Sequence, residues 1–217
     1  TTDMGVLCTG EQAIHVHKSQ YDEMVQALKD AGAYFVTDEK EKELLSEAIF
    51  PGGGNINAKI VGLPAAEVAA RAGFTVPADT KVLVMPITGV GKEDPMSKEK
   101  LCPVMVLYSY ETWEEAVANA TANLENMGAG HSSILHTNDQ EKIEYAAQIL
   151  PVCRVGVNII GSQGTGGGPM TNLAPTSTIG CGSWGGNSLS ENLDWQHLIN
   201  ITRIAYRVHK EPISDRS

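Results

Sequence analysis

Lys81-Val82-Leu83-Val84-Met85-Pro86-Ile87, and after it Val104-Met105-Val106-Leu107-Tyr108, decide the fold class of this chain. Both runs are short, apolar and β-branched, and Pro and Gly residues bound them. That is the pattern of strands buried on both faces of a parallel sheet. Outward from this pair, helical and extended patterns alternate. On the amino side, residues 12–16 alternate weakly as a strand, and Ser19 is placed to cap a helix bearing Tyr21, Met24, Val25 and Leu28 on one face before Gly32 stops it. Residues 33–36 are β-prone, Asp38 opens a charged helix reaching Ala48, residues 60–61 are ambiguous, and residues 65–72 make a helix closed by Gly73. On the carboxyl side, residues 111–124 are amphipathic, with Trp113, Ala116, Val117 and Ala120 along one side. Residues 131–136 read as a strand, Asn138 or Asp139 caps a helix to Leu150, and residues 153–160 are a further β-rich run. The alternation predicts an α/β domain with a mostly parallel sheet, helices on both faces, and ligands beyond the carboxyl ends of the strands.

The 217 residues carry 16 Lys and Arg against 26 Asp and Glu, a formal net charge of −10. An acidic chain with no basic block repels nucleic acid and anionic membrane, so the expected partner is a protein or a small molecule. The apolar fraction of 42% is too high for intrinsic disorder and supports a sizeable core. The longest apolar runs stop far short of the roughly 20 residues of a membrane span, and the first residues form no signal peptide. Cys8, Cys102, Cys153 and Cys181 are too scattered for a zinc ribbon, so they read as free thiols of a reducing cytoplasm.

Several short motifs carry possible chemistry. Gly180-Cys181-Gly182-Ser183-Trp184-Gly185 has the letters of a dinucleotide fingerprint but lacks its context, because a loop continues through Gly186-Asn187-Ser188 where a helix should begin. Gly89-Val90-Gly91-Lys92 fails as a phosphate loop, with Pro86 and Glu93 where Gly and Ser or Thr are needed. His15 and His17 share one face of a strand as two metal ligands could, or stand there as surface residues. Cys8, in Gly5-Val6-Leu7-Cys8-Thr9-Gly10-Glu11, is flanked by residues small enough for a ligand to reach its sulfur. His131 follows Gly128-Ala129-Gly130 at a strand start, where it either projects into a cleft or is hydrogen-bonded structurally. Glu99 enters an apolar strand from a charged loop, and its bland reading is a solvated carboxylate. Residues 156–186 hold 10 of the 22 glycines, so the backbone there turns sharply or lies close to something.

Taken together, these pieces resemble one family. Asp3-Met4-Gly5-Val6-Leu7-Cys8-Thr9-Gly10-Glu11-Gln12 resembles the nucleophile segment of the CoA-acylating branch of the aldehyde dehydrogenase superfamily. Glu99-Lys100-Leu101-Cys102-Pro103-Val104 is similar to the Glu-containing segment that leads into a strand in that superfamily. Gly128-Ala129-Gly130-His131, the run from Pro175 to Ser188, and Ser190-Glu191-Asn192 are similar to elements of acylating acetaldehyde and succinate-semialdehyde enzymes, including the aldehyde half of bifunctional aldehyde-alcohol dehydrogenases. The resemblance runs in matching order to about Ala205.

The resemblance implies a three-layer catalytic domain of the aldehyde dehydrogenase fold over residues 1–187. It implies that Cys8 attacks an aldehyde, that hydride passes to NAD or NADP, and that coenzyme A takes the acyl group from a thioester. Glu99 would hold the nicotinamide ribose. His131 would lie near the reaction centre and assist proton removal from the CoA thiol or from Cys8. Residues 188–217 would return to a cofactor-binding domain lying outside this chain, or to a neighbouring subunit of a homo-oligomer. Acetaldehyde is the first-choice substrate and succinate semialdehyde the second. The competing class is a non-catalytic α/β binding or scaffold domain.

Overall fold

The computed structural model describes residues 2–208. Six strands and six α-helices follow in the order β1 (Ala13–His17), α1 (Tyr21–Asp30), β2 (Ala33–Phe35), α2 (Glu39–Ile49), α3 (Ala65–Ala72), β3 (Val82–Pro86), β4 (Val104–Tyr110), α4 (Trp113–Asn126), β5 (Gly130–Leu135), α5 (Gln140–Ile149), β6 (Val152–Val157) and the single turn α6 (Gly161–Gly164). The helix boundaries follow from side-chain caps. Asp38 accepts from the Glu41 amide, Thr112 from Glu115, and Asp139 from both Glu141 and Lys142. Gly73 closes α3 at φ +97°, a conformation that disfavours any residue with a Cβ. Ser19 does not cap α1. It lies in the turn Lys18–Gln20, where its amide donates to the His17 ring, and Gln20 precedes the helix without a side-chain bond.

The two deciding runs lie side by side, β3 parallel to β4, as Leu83↔Val104 through Pro86↔Leu107. β1 flanks β4 and β2 flanks β3, which completes a parallel four-stranded sheet of order β1-β4-β3-β2. β5 and β6 form a second parallel sheet of their own. The sheet predicted from the alternation is thus divided into two pieces.

Alternation along the strands assigns the faces of the larger sheet. Leu83, Met85, Val104, Val106 and Tyr108 pack with Leu45 and Ile49 of α2 and Val68 and Ala69 of α3. Val16, Val84 and Leu107 point the other way, onto Tyr21, Met24 and Val25 of α1. Full burial of residues such as Leu45, Ile49 and Leu83 contributes about 1.5–3 kcal/mol each. Residues 60–61 form no strand, although Ile60 is buried in the same core. The smaller sheet packs Leu135 and Val152 against Trp113, Val117 and Leu124 of α4 and Ala146 of α5. After α6 the glycine-rich segment has little regular structure, and residues 195–208 contain one turn, Trp195–Leu198, followed by exposed irregular chain. The rest of the C-terminal segment expected from the sequence, residues 209–217, lies outside the described residues. No described helix is long and apolar enough to cross a membrane.

Candidate active site

Cys8, Glu99 and His131 come from three segments far apart in sequence and line one cleft of about 610 Å³ between the two sheets, roofed by α4. Each precedes or opens its strand: Cys8 ahead of β1, Glu99 ahead of β4, and His131 second in β5. The three residues therefore stand at the amino ends of their strands, not beyond the carboxyl ends as the alternation suggested, while the cleft itself runs along the strands as far as His17, Tyr110 and Leu135. The carboxyl-end connections of β1 and β4, 18–20 and 111–112, run straight into α1 and α4, whereas Cys8 and Glu99 stand on the longer segments 2–12 and 87–103 that lead into those strands. A second hollow of about 560 Å³, between α2 and residues 85–94, contains none of the three residues.

The exposed Cys8 sits on a turn closed by the Gly10 amide donating to the Leu7 carbonyl at 2.9 Å. Two side chains just after it anchor the turn. Glu11 accepts from the Gly161 amide at 2.8 Å, and Gln12 accepts from the Lys100 amide at 3.0 Å. Gly5, at φ +76°, lies so close to the Cys102 backbone that a Cβ there would overlap it. The small residues around Cys8 thus have a second purpose, because they let its loop pack onto the loop that carries Glu99.

That second loop folds around Lys100, which is fully buried and donates to the carbonyls of Met96 (2.9 Å) and Lys98 (2.8 Å). Burial pulls the Lys100 ammonium down to about 8, opposed by the Cys102 thiol, Asp94 and Glu99. Burial also pushes the Cys102 thiol up to about 12. Glu99 is half-buried, and its carboxyl is raised by that burial, with Lys100 opposing. Among the described residues the Glu99 carboxylate has no hydrogen-bond or ion-pair partner, so both its oxygens remain able to accept.

His131 is half-buried, and its ring is held below the ordinary histidine value first by burial and then by the charge of Arg154. A ring kept neutral in this way can take a proton at neutral pH. Thr165, also on the cleft, is buried and donates to the Gly161 carbonyl at 2.7 Å. Asn192 ties the glycine-rich segment down, donating to Thr165 at 3.0 Å and Ala174 at 2.9 Å. Ile179 pairs with Asn192 in an isolated antiparallel bridge, and residues 180–185 hold a single 3-10 turn, Ser183–Gly185, with no α-helix, as the failed fingerprint required.

The two strand histidines have other duties. His15 stacks on Tyr108 at 4.7 Å with its Nδ1 buried and unpartnered, and burial lowers its ring to about 4. His17 is engaged by Ser19 and the Glu111 carbonyl. Among the described residues no cluster of three potential ligands could hold a metal ion.

Sequence reasoning missed Lys100, Asn192 and Arg154. Arg154 carried a usable signal, a single cation inside the apolar run Val152-Cys153-Arg154-Val155. Lys100 carried none, because a lysine in a charged loop normally faces water.

An accessible cysteine, a half-buried histidine and an unpartnered carboxylate around one cleft of an α/β domain are the groups that thiol chemistry on a small molecule requires. Comparison with known proteins narrows this. No family model matches the chain. It is 43% identical over 205 residues to the acetylating succinate-semialdehyde dehydrogenase of Clostridium kluyveri, which accounts for 94% of this chain and 45% of that one. It is 39% identical over 224 residues to the bifunctional aldehyde-alcohol dehydrogenase of Escherichia coli strain K12, covering 99% of this chain and 25% of the relative. The fold superposes on an acetylating aldehyde dehydrogenase from Geobacillus thermoglucosidasius with a TM-score of 0.87 and 39% identity, over 97% of this chain and 46% of that one. Over nearly its whole length the chain is similar to acylating aldehyde dehydrogenases, and it spans less than half the length of these relatives.

Proposed function

We propose that this chain carries the nucleophile and acyl-transfer site of a CoA-acylating aldehyde dehydrogenase. The overall reaction is aldehyde + CoA + NAD(P)+ to acyl-CoA + NAD(P)H + H+. The observation that carries the reading is the convergence of Cys8, Glu99 and His131 on one cleft. In the forward direction the Cys8 thiolate adds to the aldehyde carbon to give a thiohemiacetal. A nicotinamide held through its ribose by Glu99 would supply the hydride acceptor, and loss of hydride and of the hydroxyl proton from the thiohemiacetal would leave a thioester on Cys8. His131 then takes the proton of the CoA thiol, the CoA sulfur attacks the thioester carbonyl, and Cys8 departs as thiolate. Exchange between two thioesters is nearly balanced in energy, so the step runs either way.

Glu99 fits the nicotinamide ribose, since a half-buried carboxylate with two free acceptor oxygens suits a pair of vicinal hydroxyls. Burial raises its carboxyl, and hydroxyl donors would bring it back down on binding. Acetaldehyde is favoured over succinate semialdehyde because no Lys or Arg is among the described residues lining the cleft, so a second carboxylate would be desolvated there without a cation. The C-terminal segment supports self-association or docking onto a cofactor-binding domain, since Leu198, Ile201, Ile204, Tyr206 and Val208 are all exposed on it. Four free thiols suit a cytoplasmic setting.

The half-reaction with acyl-CoA needs no nicotinamide and tests this reading on the chain itself. Incubation with acetyl-CoA is expected to place one acetyl group on Cys8, faster than succinyl-CoA places a succinyl group. Cys8→Ser is expected to abolish acylation, and His131→Ala to slow it by about 100-fold or more. Iodoacetamide should modify Cys8 first and Cys102 last, given a buried thiol at about 12. An unacylated Cys8 with four equally slow thiols would support the scaffold reading instead.

A further inference from the structure

Arg154, on β6, is 5% exposed, and among the described residues no carboxylate pairs with it. Its guanidinium donates mostly to backbone carbonyls. Nη2 donates to the Gly180 carbonyl at 2.7 Å and to the His131 carbonyl at 3.1 Å, with Gly130 at the longer 3.5 Å, and Nε donates to Ser132 Oγ at 3.3 Å. Nη1 is buried without any partner. An arginine does not shed its proton, so a full positive charge is held inside the domain with nothing of opposite sign beside it. Burial lowers even this guanidinium, while the thiols of Cys153, Cys181 and Cys8 favour its charged form. A stitch between β5 and the glycine-rich segment needs only a neutral donor, so the retained charge asks for a separate reason.

We propose that Arg154 is a positioning residue for the acyl-transfer step, fixing the His131 backbone against residue 180 with a permanent positive charge held beside that histidine. The proposal rests on the reading of His131 as the base that serves Cys8. The guanidinium faces the thiols of Cys8, Cys153 and Cys181, and the cleft that holds His131 also carries Glu11, His15 and His17 from β1 and the segment before it, Glu99 and Tyr110 from β4 and its approach, and His136 after β5. The charge that acts on the His131 ring is that of Arg154, in the same direction as burial.

The test is an NMR pH titration of the His131 ring in the full chain, alongside the pH profile of Cys8 acylation by acetyl-CoA. In the unsubstituted chain His131 should titrate below the ordinary histidine range. Arg154→Met should raise its midpoint and move the acid limb of the acylation profile upward with it. Arg154→Lys should restore the midpoint, because the charge is back, while the rate stays several-fold low, because the fork to two carbonyls is not. If Arg154→Met fails to fold, the unsubstituted titration and the Lys variant still decide. An ordinary His131 midpoint in the unsubstituted chain, or a Lys variant whose midpoint rises, overturns the proposal. Should Cys8 take no acetyl group at all, the functional reading fails by itself, and the Arg154–His131 coupling is judged on the titration alone.

Discussion

Replacing Lys100 by Met should change how the stability of this domain depends on pH, by an amount the structure sets. The ammonium is fully buried and its folded value is about 8, against 10.5 for an ordinary lysine. Between those two values the unfolded chain binds a proton that the folded chain has released, so stability rises with pH across the window. At about 1.4 kcal/mol per pH unit the rise is ~3 kcal/mol, complete above 10.5 and absent below 8. Lys100→Met removes this dependence. It also leaves the Met96 and Lys98 carbonyls without their donor, at a pH-independent loss of about 1–3 kcal/mol each, offset in part by no longer burying a charge. Cys102 complicates the alkaline side, since its thiol is raised to about 12 and couples to Lys100. The comparison is therefore made in a Cys102→Ala background, by urea unfolding at intervals from pH 7 to pH 10.5. The expected result is a stability difference between the Lys and Met forms that grows by ~3 kcal/mol toward alkaline pH. Parallel curves over the whole range would refute the reasoning, because they would mean that Lys100 titrates alike in both states.

His15 gives the complementary acid-side test. The unfolded chain takes up its proton near 6.5 and the folded chain only near 4, so stability should fall across that window as pH drops, by at most ~3 kcal/mol. His15→Phe keeps the stack on Tyr108 and should flatten the acid limb of the melting temperature, whereas an unaltered limb would exclude the assignment. Gly130 is the position least able to accept a side chain. It sits at φ +86°, and a Cβ there would overlap the Cys181 carbonyl oxygen. Gly130→Ala should lose at least ~1–2 kcal/mol from the backbone alone and release residues 180–187, read as faster amide exchange and faster alkylation of Cys181. Unchanged exchange in that segment would show that the contact contributes little.

Much of the candidate site was legible because its chemistry is local. Cys8 stood out by its small neighbours, His131 by the Gly-Ala-Gly before it, and Glu99 by its place ahead of an apolar strand, and the family resemblance joined them. The strands and helices were legible for a similar reason, since Asp38, Thr112 and Asp139 cap where periodic patterns begin. What stayed hidden depends on distant partners. Lys100 looks like a solvated loop residue until residues 96–98 wrap around it, and Arg154 takes its meaning from carbonyls more than twenty residues away in both directions. Ser19 shows the same limit at short range, where a nearby His17 ring claimed its amide and shifted the start of α1.

By itself the sequence determined the fold class, the order of elements, and the identity of Cys8, Glu99 and His131 as the chemical candidates. Residue periodicity and cap chemistry act over a few neighbours, and so they can be read in one dimension. Tertiary structure alone decided that the parallel strands divide into β1-β4-β3-β2 and β5-β6, and that Cys8, Glu99 and His131 meet in one cleft from the amino ends of their strands. It also decided which charges lie inside. These depend on which surfaces meet when residues far apart in the chain exclude water together, and burial then sets whether a lysine, an arginine or a histidine keeps its proton.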